Sequence, residues 1–237
     1  MKRLLHLYRP QLPSTRAQAI QVLRTCDALA HRGYRVTLIA NRGPNISSLW
    51  LKMGLKKHPN LHLKVAPNSH PGLSGVWFRR QVKQWWKGPP GVVLARDKRR
   101  LLQAIRKHGK QEHRVILETH GLESLLNPKS NDAFTVERQC LAIADGLIAN
   151  CGGTLRAWQE AHTLDLPQVV SHNATHIELD PNPTTQDFLL VLGSMRINKG
   201  VRSLLDVAGK LPYEMRWVGG SESERALYTP PNHIKLL

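Results

Sequence analysis

Two loops carry side chains that could act on a charged substrate, and each loop follows a predicted strand. The first loop contains Arg196 and Lys199, followed by Gly200. Arginine offers a planar fork of hydrogen-bond donors and lysine a mobile point charge, so the pair suits an anion such as phosphate. A helix predicted to begin near Gly200 would add its N-terminal N–H groups. The alternative is two exposed loop cations without a ligand.

The second loop contains Glu118 and His120, at the end of a strand predicted over Val115 to Glu118. An imidazole exchanges protons near neutral pH and can form a hydrogen bond with a hydroxyl group. Glu118 would either orient His120 or form part of the site wall. The alternative is a surface histidine with no further role.

The segment of residues 75–87 has basic and aromatic side chains at helical spacing. Phe78, Val82 and the tryptophan pair at 85–86 share one side of the predicted helix, and four lysine and arginine side chains lie mostly beside or opposite them. Three roles fit such a helix: docking on an anionic membrane surface, packing in the domain core, and stacking on nucleic acid. The first two are similar in energy, and the third is the least favoured.

These segments depend on a framework of alternating apolar runs and amphipathic stretches. Strands are predicted over residues 4–8, 36–40, 61–65, 92–95, 115–118, 146–150 and 168–171, and helices over 16–31, 74–86, 97–108, 133–144 and 154–161. Apolar strands that alternate with helices are typical of a parallel sheet covered on both faces. The sequence therefore predicts a doubly wound, Rossmann-like α/β domain over residues 1–175.

A second alternation follows a predicted linker. Residues 176–187 lack periodicity and contain two prolines, which is typical of a linker. Beyond it the pattern predicts a buried strand at 188–192, a helix at 201–211 and strands at 215–218 and 233–237. These few elements bury too little surface for residues 188–237 to fold alone. The sequence therefore predicts that they form an incomplete second Rossmann-like domain.

Charge is distributed very unevenly along the chain. Residues 1–120 contain 24 lysines and arginines against 4 acidic residues, whereas residues 121–237 contain 10 against 13. Such asymmetry predicts a polyanionic partner for the first half: nucleic acid, an anionic membrane surface or an acidic substrate.

Composition excludes several classes of protein. With 41% hydrophobic and 22% charged residues, the chain is neither disordered nor fibrous. No apolar run reaches the roughly 18 residues of a membrane span, and the first apolar stretch is too short for a signal peptide. Three cysteines without C-x-x-C spacing form neither a disulfide framework nor a zinc site. We therefore expect a cytoplasmic protein, free or peripheral at the inner face of the cytoplasmic membrane.

Six segments spread over nearly the whole chain form an ordered set. They are residues 15–40, V-V-L-A-R-D at 92–97, V-I-L-E-T-H-G at 115–121, A-D-G-L-I-A-N at 144–150, V-V-S-H-N-A-T-H at 169–176 and G-S-M-R-I-N-K-G-V at 193–201. In this order and spacing they resemble family 4 of the retaining glycosyltransferases. The resemblance implies the GT-B fold, in which two Rossmann-like domains face a cleft.

The resemblance also implies an activity and roles for particular residues. A sugar would move from a nucleotide-sugar donor to a glycan or lipid-linked acceptor, without a required metal or another cofactor. In the family a histidine matching His120 lies near the transferred sugar and the acceptor. Arg196, Lys199 and Gly200 would bind the donor diphosphate. Arg16 stands where a glycine pair often forms a phosphate-facing loop, and it would contact phosphate in place of that loop.

The sequence departs from the family in ways that affect donor binding. Family members usually continue past the position of Leu237, through paired E-x7-E glutamates of which the second commonly holds the donor ribose. Glu214 and Glu222 reproduce that spacing but straddle a predicted strand and loop, so we interpret the match as coincidence. Ser194 stands where the family commonly has an arginine. We therefore expect weak donor binding, and no sugar transfer by residues 1–237 alone.

Two alternative functions remain. One is an inactive, truncated remnant of such an enzyme. The other is a basic nucleic-acid-binding protein, which is less favoured because the sequence lacks a helix-turn-helix, zinc or RNP pattern.

Overall fold

The computed structural model describes residues 2–14, 16–43, 45–67, 71–126, 131–173, 187–230, 232 and 234–237. The chain divides into two compact units, Met1–Thr175 and His176–Leu237. Apart from Asp187, the predicted linker of residues 176–187 lies outside the described residues.

The first unit is built on one parallel sheet of eight strands in the described part of the chain. The strands are β1 (Arg3–Leu7), β2 (Gln11–Leu12), β3 (Arg35–Arg42), β4 (Leu61–Val65), β5 (Val92–Ala95), β6 (Arg114–Thr119), β7 (Gly146–Ala149) and β8 (Gln168–Val170). The helices are α1 (Ala17–His31), α2 (Leu49–Met53), α3 (Pro71–Trp86), α4 (Lys98–His108), α5 (Glu123–Leu126), α6 (Asn131–Leu141) and α7 (Gly152–Ala161). Neighbouring strands follow the order β3-β1-β5-β6-β7-β8, and both β2 and β4 also pair with β3.

The chain changes direction across this sheet between β1 and β5. From β1 it runs outward to β3 and β4, and β5 then lies on the other side of β1. Such a switch point leaves a crevice at the carboxyl ends of two neighbouring strands, where α/β proteins bind ligands. The register aligns Leu7 with Ala95 and Ala95 with Leu117, so the residues that follow these three lie together at this edge.

Alternate side chains of the strands enter two separate cores, one on each face of the sheet. Leu4 and Leu38 pack with α1 and α2, whereas Leu5 and Leu117 pack with α3, α4, α6 and α7. Helices therefore cover both faces, and the predicted doubly wound α/β fold is confirmed. In the described part of the chain, no helix is both long and apolar enough to cross a membrane.

Local signals set the ends of several helices. The carboxylate of Asp97 caps α4 by accepting a hydrogen bond of 3.0 Å from the backbone N–H of Arg100. Gly33 follows α1 with a φ of +85°, a conformation that is strained for residues with a Cβ atom. These signals are visible in the sequence, and α1 and α4 accordingly start one residue after the predicted start and end at the predicted residue.

Helix α3 contains the basic and aromatic segment, and its aromatic face lies in the core. Phe78 and Val82 are 4% and 5% exposed, and Trp86 is fully buried. The indole N–H of Trp86 donates to the carbonyl of Gly109 at 2.9 Å. The core-helix prediction is therefore confirmed for this face, and insertion of these aromatic side chains into a membrane or between bases is wrong. The lysine and arginine side chains of α3 remain exposed.

The second unit has a parallel sheet with the strand order β11-β10-β9. Its strands are β9 (Phe188–Leu192), β10 (Glu214–Val218) and β11 (Ile234–Leu236), and its helices are α8 (Val201–Ala208) and α9 (Glu222–Arg225). Strand β9 has the predicted bounds, but it is not buried as predicted, because Leu190 and Leu192 are 55% and 72% exposed. Val191 packs on the core of this unit, so the alternate side chains point to the other, uncovered face.

Candidate active site

Glu118, near the end of β6, lies in a cluster of charged and polar side chains from three strands. Nε2 of His120 is 2.8 Å from Oε1 of Glu118. Arg96 directly follows β5, and its guanidinium lies 3.5 Å from the same oxygen. From β1, His6 brings its Nε2 to within 3.2 Å of Oε2 of Glu118. The cluster occupies the switch point of the sheet, where the topology places a ligand-binding crevice.

This cluster keeps Glu118 ionised. The side chain is 11% exposed, and burial by itself raises the pKa of a carboxyl group. The neighbouring His6, His120 and Arg96 outweigh burial and lower the pKa of Glu118 to about 2. At neutral pH Glu118 is therefore a carboxylate, which orients and stabilises its neighbours but has no proton to donate.

An ionised Glu118 sets the state of the His120 ring. A carboxylate only accepts hydrogen bonds, so Nε2 of His120 carries the proton that it shares with Glu118. In the neutral ring, Nδ1 then keeps its lone pair and can accept a hydrogen bond from a hydroxyl group. The side chain of His120 is 20% exposed, so a ligand can reach it. The contact expected between these two residues is present; a role in transfer stays a prediction.

His6 is the most deeply buried member of the cluster. It is 1% exposed, and among the described residues neither ring nitrogen has a well-aligned hydrogen bond. The approach of its Nε2 to Glu118 is an ion-pair distance. A buried polar ring without hydrogen bonds costs folding free energy. The 3.2 Å approach to Oε2 of Glu118 places this ring against the carboxylate.

Further polar side chains surround the cluster. The guanidinium of Arg96 donates to Oε1 of Gln21 at 3.0 Å and lies 5.5 Å from the ring centre of Tyr8. Gln21 in turn donates to the side-chain oxygen of Asn173. These contacts bring α1 and the segment after β8 to the same edge, and they supply the amide and hydroxyl groups that a polar ligand such as a sugar would need.

Sequence reasoning identified Glu118 and His120 but missed His6 and Arg96. Two signals could have found them: a histidine inside the apolar run of β1, and an arginine directly after the apolar strand of residues 92–95. Neither signal shows that β1 and β5 are neighbours, and only that pairing brings these side chains to Glu118.

In the second unit, Arg196 is held by an acidic partner. Its Nε lies 2.8 Å from Oε1 of Glu224, and its side chain is 68% exposed. Arg196 and the backbone N–H of Ser221 lower the pKa of Glu224. Sequence reasoning missed this carboxylate, although the S-E-S-E run at residues 221–224 is a capping-box signal. Any phosphate that binds Arg196 must compete with Glu224.

Lys199 and Gly200 lie at the predicted place, directly before α8. Gly200 forms the N-cap with a φ of +71°, and its backbone carbonyl accepts from Leu204. Lys199 is exposed.

Sequence reasoning missed a second glycine in this unit. Gly219 follows β10 with a φ of +121°, and a Cβ atom there would lie 2.5 Å from the carbonyl oxygen of Gly193. Only glycine allows these two strand ends to approach so closely.

Arg16 forms the N-cap of α1, as the predicted helix start requires. Its backbone N–H donates to Oγ of Ser14 at 3.1 Å. The side chain is exposed and has no hydrogen bond or ion pair with another described residue. The structure therefore does not join Arg16 to the Glu118 cluster, and phosphate contact by Arg16 stays a prediction.

The Glu214 and Glu222 pair starts in a strand, as the sequence predicted, but Glu222 lies in a helix and not in the predicted loop. Glu214 begins β10 and forms ion pairs with Arg216 at 2.6 Å and Lys235 at 2.6 Å. Glu222 begins the short helix α9. Two glutamates on different elements, one of them already paired with two cations, match the interpretation that their spacing is coincidental.

The sequence model of Glycosyltransferase Family 4 matches residues 18–178, which include the whole Glu118 cluster except His6. The chain belongs to this family. A comparison with curated protein sequences finds no match. Membership in family 4 confirms the resemblance drawn from the six segments.

Solved structures with the same architecture include those of the following three proteins. Sucrose-phosphate synthase from Thermosynechococcus elongatus has a TM-score of 0.68 and 14% identity over 96% of this chain and 66% of its own. HepE of Anabaena, solved with UDP and glucose, has a TM-score of 0.63 and 15% identity over 95% of this chain and 63% of its own. A glycosyltransferase from Rickettsia africae has a TM-score of 0.59 and 13% identity over 95% of this chain and 62% of its own.

These similarities establish the fold. It is the α/β fold of GT-B glycosyltransferases, as the sequence predicted. The chain spans about two thirds of the length of these three proteins, between 62% and 66%.

Proposed function

We propose that the whole protein is a glycosyltransferase that moves a sugar from a nucleotide-sugar donor to a glycan or lipid-linked acceptor. It acts at the cytoplasmic face of the membrane and needs neither a metal ion nor another cofactor. The observation that carries this proposal is the 2.8 Å hydrogen bond between His120 and Glu118, at the switch point of a family 4 domain.

His120 contacts the sugar and the acceptor hydroxyl in this proposal. Its unprotonated Nδ1 accepts a hydrogen bond from a hydroxyl group, and an imidazole that gains a proton becomes a cation. The Glu118 carboxylate, 2.8 Å away on the other side of the ring, stabilises that cation. Glu118 thus acts through His120, and His6 and Arg96 hold Glu118 in its ionised state.

Arg196 and Lys199 bind the donor diphosphate in the second unit. The leaving diphosphate gains negative charge, and each well-placed donor in a closed site contributes about 3 kcal/mol to its stabilisation. These fixed cations do the work for which other enzymes use a metal ion. The UDP bound to HepE supports a nucleoside diphosphate as the leaving group. Since Glu224 already holds Arg196, donor binding exchanges this carboxylate for phosphate oxygens.

The basic first unit supports a location at an anionic membrane. Lys83 of α3 and Lys87, directly after this helix, project into solvent on the side away from the buried aromatic residues. Each cation near an anionic leaflet contributes about 1 kcal/mol to membrane binding. A lipid-linked acceptor would thus be held at the first unit, which contains the Glu118 cluster.

A titration of the full-length protein with UDP, GDP and ADP in the presence of EDTA tests donor binding. The proposal predicts that one of them binds and that Lys199→Ala weakens its affinity by about tenfold or more, because a charged hydrogen-bond partner is lost. Lys210→Ala is the matched control: it removes an exposed lysine beyond the other end of α8 and should change the affinity by less than about twofold.

Two results would oppose the proposal. Equal effects of the two lysine variants would remove Lys199 from the donor site. The absence of binding by any of the three nucleotides would instead favour the alternative of an inactive remnant.

A further inference from the structure

A groove between α3 and α4 combines an apolar floor with basic walls. It encloses a volume of about 450 Å³, within the range of roughly 300 to 1,000 Å³ that is typical of small-molecule sites. Leu7, Phe78, Val82 and Ala104 line the floor. Its lining also contains four lysine and arginine residues and His108, and no carboxylate. The groove is separate from the Glu118 cluster and has no role in the proposed function.

Arg79, which lines the groove, and Arg9, which does not, both lie near Gly75 of α3. A Cβ atom on Gly75 would lie 3.5 Å from Nη1 of Arg9 and 3.8 Å from Nη1 of Arg79. Both guanidinium groups therefore lie close to the backbone of α3 at Gly75. Arg9 is also fixed from the side, because its Nη2 donates to Oγ of Ser74 at 3.1 Å.

A third arginine lies beside the same phenyl ring. The guanidinium carbons of Arg9 and Arg100 are 5.7 Å and 4.9 Å from the ring centre of Phe78. Burial, Arg100 and Arg79 lower the pKa of the Arg9 guanidinium, and Asp97 opposes them. Asp97 forms an ion pair of 2.7 Å with Arg100, and it is the one acidic group that faces this set within the described residues.

Three like charges near one carboxylate leave a net positive site. Bringing guanidinium groups together costs electrostatic free energy unless an anion binds between them. Arginine forks match the oxygens of phosphate in geometry as well as in charge. An anion bound beside Gly75 would contact Arg9 and Arg79 together.

We propose that this groove binds the phosphate head group of an anionic lipid. Arg9, Arg79 and Arg100 hold the phosphate, and the exposed side chains of Leu73 and Val76 contact the first part of the acyl chain. A free phosphate ion would leave these apolar side chains unused.

Side chains next to the groove also fit a lipid. Leu73 and Val76, in the first turns of α3, are 58% and 57% exposed and flank Gly75 in the sequence. Apolar side chains beside basic ones at one end of a helix are typical of contact with a membrane interface. Nucleic acid would need exposed aromatic rings for stacking, and the rings of Phe78 and Trp86 are buried.

The test compares two neighbouring arginines of the same helix. Arg79 lines the groove, whereas Arg80 is exposed and does not line it. Binding of dihexanoylphosphatidic acid, a lipid soluble as a monomer, is measured by titration for the unmodified protein and for the Arg79→Gln and Arg80→Gln variants. Arg79→Gln should weaken binding by about tenfold or more, and Arg80→Gln by less than about twofold. Both variants lose one charge, so diffuse electrostatic attraction predicts equal losses.

A variant that keeps every charge tests the geometry. Gly75→Ala places a methyl group 3.5 Å from Nη1 of Arg9 and 3.8 Å from Nη1 of Arg79, where it would compete with a bound phosphate for these groups, so lipid binding should fall several-fold. Alanine favours the helix, so the thermal midpoint should stay unchanged or rise, which separates this effect from unfolding.

Three results would overturn the proposal: equal losses for Arg79→Gln and Arg80→Gln, inorganic phosphate that binds as tightly as the lipid, or a single-stranded oligonucleotide that binds more tightly than the lipid. Sugar transfer is not measured in any of these experiments, so failure here leaves the proposed function unaffected.

Discussion

Each unit has a carboxylate that pairs with an arginine beyond the end of a strand, but the two pairs have different surroundings. In the first unit, Glu118 and Arg96 are 11% and 8% exposed, and two histidines complete the cluster. In the second unit, Arg196 is 68% exposed and Glu224 is its acidic partner. Buried charges depend on their partners for stability, whereas exposed pairs contribute little and exchange readily with solvent or ligand. The first pair therefore fixes a geometry, and the second can release its arginine.

The largest expected effect is on stability. Glu118→Gln leaves Arg96 and His6 without their buried carboxylate and should lower the free energy of unfolding by about 3 kcal/mol at pH 7, measured by urea denaturation. Glu224→Gln removes an exposed pair and should leave the unfolding midpoint unchanged within error. Equal losses for the two variants would show that burial does not distinguish the pairs.

The dependence of stability on pH sharpens the same contrast. Because the pKa of Glu118 falls from an ordinary value of 4.5 to about 2 on folding, its contribution is complete above pH 4.5 and is lost as the pH falls towards 2. About 2 kcal/mol of this contribution should be lost by pH 3. The difference in unfolding free energy between the unmodified protein and Glu118→Gln should therefore shrink from pH 6 to pH 3. A constant difference would contradict the lowered pKa.

A smaller effect is expected on nucleotide affinity. Glu224→Gln frees Arg196 from its acidic partner and should tighten the binding of the nucleoside diphosphate about threefold, because a phosphate no longer competes with a carboxylate. Titration of the folded variant measures this change. Weaker binding would instead show that Glu224 helps to position Arg196 for the donor.

The sequence predicted those parts of the fold whose signals are local. Strands β4 and β5 have their predicted bounds, and Asp97 caps the helix whose start it was expected to mark. The same reading placed Glu118 and His120 at a strand end. These features depend on residues within a few positions of one another, so a single sequence is enough to predict them.

Other features depend on which elements become neighbours. His6, Arg96 and Glu118 are far apart in sequence and meet because β1 pairs with β5 and β5 with β6. Strand β9 is a second example. Its continuous apolar residues predicted burial on both faces, but the folded unit covers one face of the strand only. For the aromatic face of α3, core packing and membrane docking were similar in energy. The tertiary packing of the folded chain places this face in the core.

Sugar transfer that depends on His120 is the most direct test of the proposed function. The full-length protein is incubated with UDP-, GDP- and ADP-sugars and a membrane lipid extract, with EDTA present, and products are detected by mass spectrometry. We expect one donor to yield a lipid or glycan that is heavier by one sugar. His120→Ala should lower turnover by about 100-fold or more while donor affinity changes little, and His31→Ala, an exposed histidine on α1, should behave as the unmodified protein. No product from any donor, or equal turnover of His120→Ala and the unmodified protein, would contradict the assignment.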